Sequence, residues 1–238
     1  MSWGEISSLD QLVILGDAIH FVWLLVPLSI AGLIILLVWQ LEKRRTERYA
    51  NVAIDLNLPF FPEGDEALQQ NLEKFHLFSR GRSRRITNML HGKTENVEVA
   101  IFDYRYTTGG GQNSHTYKQS VAYFCSDSLN LPDFEMRPEN AFHKIGSAFG
   151  YQDIDFSSHP KFSGKYLLRG EDEGAVRELY QSSLLEFFES QDKISVEGQG
   201  TQILVYRSGK RIEPAKTKEF MQEGFRVLGR FSAASGRG

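Results

Sequence analysis

Residues 21–39 read FVWLLVPLSIAGLIILLVW, a run of nineteen residues without a charged side chain. At 1.5 Å per residue, such a run forms a helix of roughly 28 Å, which matches a bilayer hydrocarbon core of about 30 Å. Pro27 removes one backbone hydrogen bond, which a membrane helix tolerates as a kink. Trp23 and Trp39 stand near the two ends, where interfacial tryptophans are enriched. The sequence therefore predicts a transmembrane helix over residues 18–41.

The charges on the two sides of this helix differ sharply. Residues 1–41 contain three acidic residues and neither lysine nor arginine. A basic cluster follows at once: Lys43, Arg44, Arg45 and Arg48. Because basic flanks tend to stay in the cytoplasm, we expect a single-pass protein of the cell (inner) membrane, with residues 1–17 outside and everything after Leu41 cytoplasmic. The alternative, a cleaved signal peptide, requires a positive n-region and a shorter apolar run.

The remainder of the chain has the composition of one neutral domain. The protein has 27 basic and 30 acidic residues. Three of the acidic residues and none of the basic residues lie in residues 1–41, so residues 42–238 contain 27 of each. This balance argues against a general nucleic-acid binder. The single cysteine, Cys125, excludes an internal disulfide and is typical of a reducing compartment. We predict a basic juxtamembrane linker over 42–64, one domain over 65–231 and a disordered tail over 232–238.

The clearest element of the domain is a β-hairpin. NVEVAIFDYRY (96–106) and HTYKQSVAYFC (115–125) are rich in β-branched and aromatic residues, and a glycine-rich loop joins them. A strand over 131–139 is expected to turn Phe134 and Met136 inward and its charged residues Asp133, Glu135 and Arg137 outward. KISVEG and TQILVYRSGK predict a second hairpin.

Helical periodicity is found between and after these strands. It predicts helices over 65–78, capped by Asp65, over 172–190 and over the C-terminal segment, with a brief helix after Pro138. Strands in hairpins with intervening helices indicate the α+β class. We expect an N-terminal transmembrane helix followed by a mainly antiparallel sheet of about six strands, with helices packed on one face.

Several runs of the chain, taken together, resemble an uncharacterised family of bacterial single-pass membrane proteins. These are FDYRY (102–106), TYKQS (116–120), LPDFEMRPEN (131–140), QDIDFSSHPKFSGKYLLRGEDE (152–173) and VEGQG (196–200). The resemblance covers residues 80–230 in outline. It implies a membrane-tethered cytoplasmic domain, and it implies no activity, cofactor or catalytic residue.

A few polar residues could form a site. Asp153 and Asp155 would share one face of a strand, with His159 close by, and could bind a cation or act as an acid/base pair; a solvated strand edge is the simpler interpretation. Asp103, inside an aromatic strand, should either pair with an arginine such as Arg105 or have a raised pKa, and we expect an ion pair. The six histidines show no metal-ligand spacing, so neither a metal nor a cofactor is predicted.

The basic clusters could contact anionic lipid. The second cluster lies in SRGRSRR (79–85) and comprises Arg80, Arg82, Arg84 and Arg85. Each basic residue near anionic headgroups contributes about 1 kcal/mol to membrane binding. For the first cluster, membrane orientation is a sufficient explanation, and for the second the alternative is a solvated turn.

Two functional hypotheses follow. The first is a membrane-anchored, non-enzymatic interaction or scaffolding domain that binds a protein partner and the bilayer but not nucleic acid; its oligomeric state is open. The second is a membrane-tethered enzyme or a small-ligand or lipid-binding domain. Its site would be built around Asp103, Asp153 and Asp155, with His91 and His159 as further polar groups. The two differ in whether the fold brings these side chains into one concave pocket.

Overall fold

A long apolar helix begins the chain. The computed structural model describes the backbone of residues 8–139 and 153–236, and the side chains of residues 26–139 and 153–236. Helix α1 (Ser8–Leu56) contains Pro27, and its described stretch Val26–Leu56 is long and apolar enough to cross a membrane; an 18-residue window within it has a mean hydropathy of 1.6. The predicted apolar helix is confirmed. Trp39 is 61% exposed, and the Lys43 Nζ lies 5.4 Å from its ring centroid.

The chain divides into two compact units, Met1–Glu47 and Arg48–Gly238. The strands of the second unit are β1 (Phe60–Phe61), β2 (Arg82–Lys93), β3 (Val97–Thr108), β4 (His115–Ser126), β5 (Leu131–Pro138), β6 (Tyr166–Gly170), β7 (Ser195–Gly200) and β8 (Gln202–Tyr206). Its helices are α2 (Glu66–Leu72), α3 (His76–Ser79), α4 (Pro160–Ser163), α5 (Glu173–Leu179), α6 (Ser182–Ser190) and α7 (Thr217–Ser235).

The strands form one antiparallel sheet in the order β1-β2-β3-β4-β8-β7-β5-β6. The described residues contribute eight strands to it rather than about six, and the α+β class is confirmed. The hairpin predicted from the aromatic repeats is β3–β4, paired without interruption from Val97↔Ser126 to Thr108↔His115. The second hairpin is β7–β8.

Helices cover both faces of this sheet, and the prediction of one covered face was therefore wrong. On one face, side chains such as Phe134 and Phe124 pack against α5, α6 and α7. On the other face, Phe102 and Tyr104 pack with Leu72 and Phe78 of the α2–α3 segment. Alternate residues of a strand point to opposite faces, so each central strand contributes to two cores.

The segment predicted as a linker is mostly regular structure. α1 continues to Leu56, and Tyr49 and Ala53, one helical turn apart, are buried with Leu90 of β2 in a small third core. The helix predicted over 65–78 is two helices, α2 and α3. Asp65 is the N-cap of the first, since its carboxylate accepts a hydrogen bond of 2.8 Å from the Leu68 N–H.

The remaining helices also differ from the prediction in detail. The expected helix over 172–190 breaks into α5 and α6 at Tyr180, a fully packed ring with non-helical backbone angles, followed by the extended Gln181. α7 continues to Ser235, so most of the tail predicted as disordered is helical. Residues 153–156 are extended without forming a strand. The brief helix predicted after Pro138 falls largely outside the described residues.

Candidate functional site

A cluster of charged and polar side chains lies buried between the sheet and the α2–α3 segment. It consists of Arg80, Glu135, Glu197 and Tyr206, hereafter the buried polar cluster. Each of the four is at most 9% exposed. Glu135 of β5 and Glu197 of β7 are directly paired across adjacent strands. They lie on the face opposite Phe134 and Met136, because successive strand residues alternate.

The charged and polar groups of the cluster form hydrogen bonds with one another. The Arg80 Nη2 donates to the Glu135 Oε1, and the Arg137 Nη1 is 3.7 Å from the same oxygen. The Glu197 Oε1 accepts from the Tyr206 hydroxyl at 2.7 Å, and its Oε2 accepts from the Leu77 N–H of α3 at 3.1 Å. A buried charge is tolerated only when it is paired and hydrogen-bonded in this way. The cluster therefore attaches α3 and Arg80 to the sheet.

The prediction that Glu135 and Arg137 face solvent was wrong. The alternation along β5 is as expected, but its polar side is covered by α3 and by Arg80, and both residues are about 5% exposed. Only a contact between segments 55 residues apart in sequence reveals this burial. Two of the runs noted in the sequence, LPDFEMRPEN and VEGQG, contain Glu135, Arg137 and Glu197.

Burial determines the protonation behaviour of the cluster. Burial, and then the neighbouring carboxylate of Glu135, raise the pKa of Glu197, while Arg80 and the Tyr206 hydroxyl act in the opposite direction. Burial also raises the pKa of Tyr206, so its hydroxyl stays protonated and acts as a donor. Because these groups are enclosed and bonded to one another, they stabilise the packing of α3 and Arg80 on the sheet.

The raised pKa of Glu197 makes stability depend on pH. A carboxyl group with a higher pKa in the folded state binds more protons there than in the unfolded chain. Its contribution to stability is present below the ordinary pKa and is lost as the pH rises through the raised value. We therefore expect the stability of Glu197→Gln relative to the wild type to increase as the pH rises above about 4, the ordinary pKa of a glutamate side chain. Urea unfolding monitored by circular dichroism measures this difference, with exposed Glu186→Gln as the baseline; a difference that does not change with pH contradicts the prediction.

Asp103 lies on the sheet face that α7 covers. It is buried, and its carboxylate accepts hydrogen bonds from the Ser120 hydroxyl at 2.7 Å and the Asn88 Nδ2 at 3.1 Å. Asn88 occupies an irregularity in the β2–β3 pairing, with a left-handed φ of 54° that asparagine tolerates. The Ser120 hydroxyl in turn accepts from the Ile212 N–H at 3.1 Å. Asp103 thus ties β2, β4 and the loop before α7 together.

The other predicted polar residues lie elsewhere. The Asp153 carboxylate accepts from the Leu168 N–H of β6 at 2.9 Å, the Asp155 carbonyl accepts from Arg177, and the His159 Nδ1 is 3.0 Å from the Ser158 hydroxyl. His91 of β2 pairs with Glu98 at 3.0 Å.

These groups do not converge. β3, which carries Asp103, and β6 are five strand positions apart, which corresponds to about 24 Å. The described side chains contain no group of three or more His, Cys, Asp or Glu residues arranged to hold a metal ion.

The second basic cluster is engaged with protein atoms. Arg80 belongs to the buried polar cluster and is not available to a lipid headgroup. Arg82 donates to the Gly109 carbonyl, Arg84 donates to the Phe78 carbonyl, and Arg85 pairs with Glu63. In the first cluster, Lys43, Arg44 and Arg48 are exposed and Arg45 is half-buried. Contact of these residues, and of Arg82, Arg84 and Arg85, with anionic lipid stays a prediction.

An open apolar groove lies beside the segment that follows α1. Its volume is about 570 Å³. The apolar side chains that line it are Leu58, Pro59, Phe61, Val97, Val99 and Phe225. Val97 and Val99 belong to the sheet face that α7 covers, and Phe225 is a residue of α7 that remains 40% exposed. Polar groups, including His91 and Lys93, complete the lining. We call this feature the apolar groove.

The fold has a counterpart among solved structures. The sequence matches no protein-family model and no curated protein. The structure is similar to the crystal structure of the mycobacterial trehalose monomycolate transport factor A, TtfA, with a TM-score of 0.55. The match covers 79% of this chain and 93% of that one, at 12% sequence identity. At this identity the likeness establishes a shared fold and nothing more.

Proposed function

We propose that this protein is a membrane-anchored, non-enzymatic interaction module that serves as an accessory factor of a membrane transport system. In this proposal, residues 18–41 cross the cell membrane once and the domain operates in the cytoplasm. The lack of lysine and arginine before residue 42 supports that orientation. The fold shared with a protein described as a transport factor supports the biological setting by analogy.

The apolar groove is the observation that carries the proposal. A concave, mainly apolar lining on a folded domain favours a binding site, because contact of apolar surface with water is unfavourable. The groove is built on rigid elements, β2, β3 and α7, so it is formed before a partner arrives. Its occupant in this proposal is an apolar segment of a protein partner in the same membrane. Among the polar candidates for catalysis, in contrast, Asp103 on β3 is separated by the width of several strands from Asp153, which is bonded to β6.

The test is affinity capture after crosslinking of the full-length protein in native membranes. The groove variant is Val97→Asp combined with Phe225→Asp, which places two charges on the apolar lining. The control is Ile54→Asp, which alters an apolar side chain that is 77% exposed and lies outside the groove. We expect the wild type and the control to capture the same partner, and the groove variant to capture at least about tenfold less, which corresponds to about 1.4 kcal/mol.

The volume of the groove supports a second candidate, an apolar small molecule or lipid chain. Ligand pockets commonly have volumes of about 300–1,000 Å³, and the groove falls inside that range. Mass spectrometry of the purified proteins separates the candidates. If a lipid accompanies the wild type but not the groove variant, and no protein is captured, the domain is a ligand-binding domain. If the groove variant captures the partner as well as the wild type does, the groove is not the interaction site.

A further inference from the structure

A second cavity, distinct from the apolar groove, lies where the chain passes from β8 to α7. Its volume is about 250 Å³. Four of its eight lining residues are basic, namely Arg207, Lys210, Arg211 and Lys216, and one is acidic, Glu213. We call it the basic cavity. We propose that the basic cavity binds a phosphate group, carried either by a lipid headgroup or by a free phosphate compound.

The charge of the cavity suits a phosphate. Arg207 is held by Glu223 of α7 through two hydrogen bonds, of 2.8 and 2.5 Å, so its charge is already matched. Lys210 and Lys216 are exposed and form no ion pair with a carboxylate in the described part of the chain. The four basic residues less Glu213, Glu223 and the buried Asp103 leave a net charge of +1. A phosphate monoester carries about −1.5 to −2 at neutral pH.

The wall of the cavity is held in place by hydrogen bonds. The Lys210 N–H donates to the Arg207 carbonyl at 3.1 Å, and the Lys210 carbonyl accepts from the Ser120 N–H at 3.2 Å. The Gly209 N–H donates to the Gln119 side chain at 2.9 Å, with Gly209 at a left-handed φ of 70°. Further along, the Lys216 N–H donates to the Glu213 carbonyl at 2.9 Å. The backbone at each lysine is therefore held in place, at Lys210 by a turn and at Lys216 by the short helix Pro214–Lys216, so binding need not order the backbone there.

Apart from its basic side chains and Glu213, the cavity is lined by Ser120 and by the apolar side chains Ile212 and Phe220. The Ser120 hydroxyl is oriented by the bonds to Asp103 and to the Ile212 N–H. Asp103 lies beneath Ser120 and offsets part of the positive charge. The two lysine ammonium groups can donate several charge-assisted hydrogen bonds to phosphate oxygens. The apolar groove offers no comparable set, since Lys93 there already pairs with Glu98 at 3.3 Å.

The experiment is calorimetric titration of the full-length protein in neutral detergent with three probes. The probes are inorganic phosphate, soluble dihexanoyl phosphatidic acid and dihexanoyl phosphatidylcholine. The test variant is Lys210→Ala with Lys216→Ala. The control is Lys218→Ala with Arg226→Ala, which removes two exposed charges of α7 that do not line the cavity.

We expect phosphate and phosphatidic acid to compete for one site in the wild type and in the control, and to bind at least about tenfold more weakly to the test variant. Tighter binding of phosphatidic acid than of phosphate identifies a lipid headgroup as the source, and equal binding identifies a free phosphate compound. The proposal is overturned if neither probe binds the wild type, or if the test variant binds as well as the wild type. Far-UV circular dichroism verifies that both variants are folded. The basic cavity and the apolar groove share no lining residue. Phosphate binding can therefore be present or absent whether or not the groove binds a protein partner.

Discussion

Arg80→Ala is expected to lower the free energy of unfolding by about 3–5 kcal/mol, a large part of the stability of a domain of this size. Arg80 is the basic member of the buried polar cluster, and its guanidinium contacts Glu135. Without it, Glu135 and Glu197 remain enclosed as two adjacent carboxylates. Removing one partner of a buried pair leaves an uncompensated charge, which costs more than the pair itself contributes. Urea unfolding of the protein in mild detergent measures the loss.

The matched control for this experiment is Arg82→Ala. Arg82 belongs to the same arginine-rich segment, but it is exposed and donates to a backbone carbonyl. Its removal should change the unfolding free energy by less than about 1 kcal/mol. The double variant Arg80→Met with Glu135→Leu removes both charges of the pair. It should therefore lose less unfolding free energy than Arg80→Ala does. Equal effects of Arg80→Ala and Arg82→Ala would show that Arg80 is not buried among carboxylates.

Phe134→Ala is expected to cost about 3–5 kcal/mol, as is usual for truncating a buried aromatic ring. Phe134 has no exposed surface and is central to the aromatic core on the α7 face of the sheet. Its ring stacks on Phe231 with centroids 5.3 Å apart and meets Tyr180 edge-on at 5.4 Å. The ring also occupies the space where a side chain at Gly198 of β7 would lie. The substitution therefore leaves a cavity between β5, β7 and α7.

Phe225→Ala serves as the control for the aromatic core. Phe225 is the same residue type on α7, but it is 40% exposed at the apolar groove. Its truncation should cost about 1 kcal/mol because less apolar area is lost from the folded protein. Thermal or urea unfolding of the two variants is compared directly. A loss for Phe134→Ala no larger than that for Phe225→Ala would contradict the assignment of Phe134 to the core.

Arg80→Ala and Phe134→Ala test the two faces of one sheet, which are stabilised by different kinds of interaction. The face toward α7 is held by aromatic packing, in which Tyr180 and Phe231 contact Phe134 and in turn pack with Phe188. The face toward α3 combines apolar packing over β2, β3 and β4 with the buried polar cluster over β5 and β7. Burial of apolar area is non-directional, whereas paired charges require one geometry. The buried polar cluster thus specifies where α3 and Arg80 lie on the sheet.

The sequence by itself determined the features that depend on local pattern. A charge-free run of nineteen residues predicted the membrane-competent helix, and alternation of β-branched and aromatic residues predicted the β3–β4 hairpin. Asp65 at the start of α2 was recognisable because an N-cap bond spans only three residues. The α+β class followed from the order of these elements.

The tertiary structure alone decided which faces are covered and which side chains meet. Glu135 and Arg137 follow the pattern of an exposed strand edge, yet a segment more than fifty residues earlier in the chain buries them. The apolar groove joins residues 57–61 with β2, β3 and Phe225, and the basic cavity joins Ser120 with residues 207–220. Periodicity reports which residues share a face of one element, but not which distant element packs on that face. Burial, charge pairing and cavity shape depend on that packing, and they arise only when the whole chain has folded.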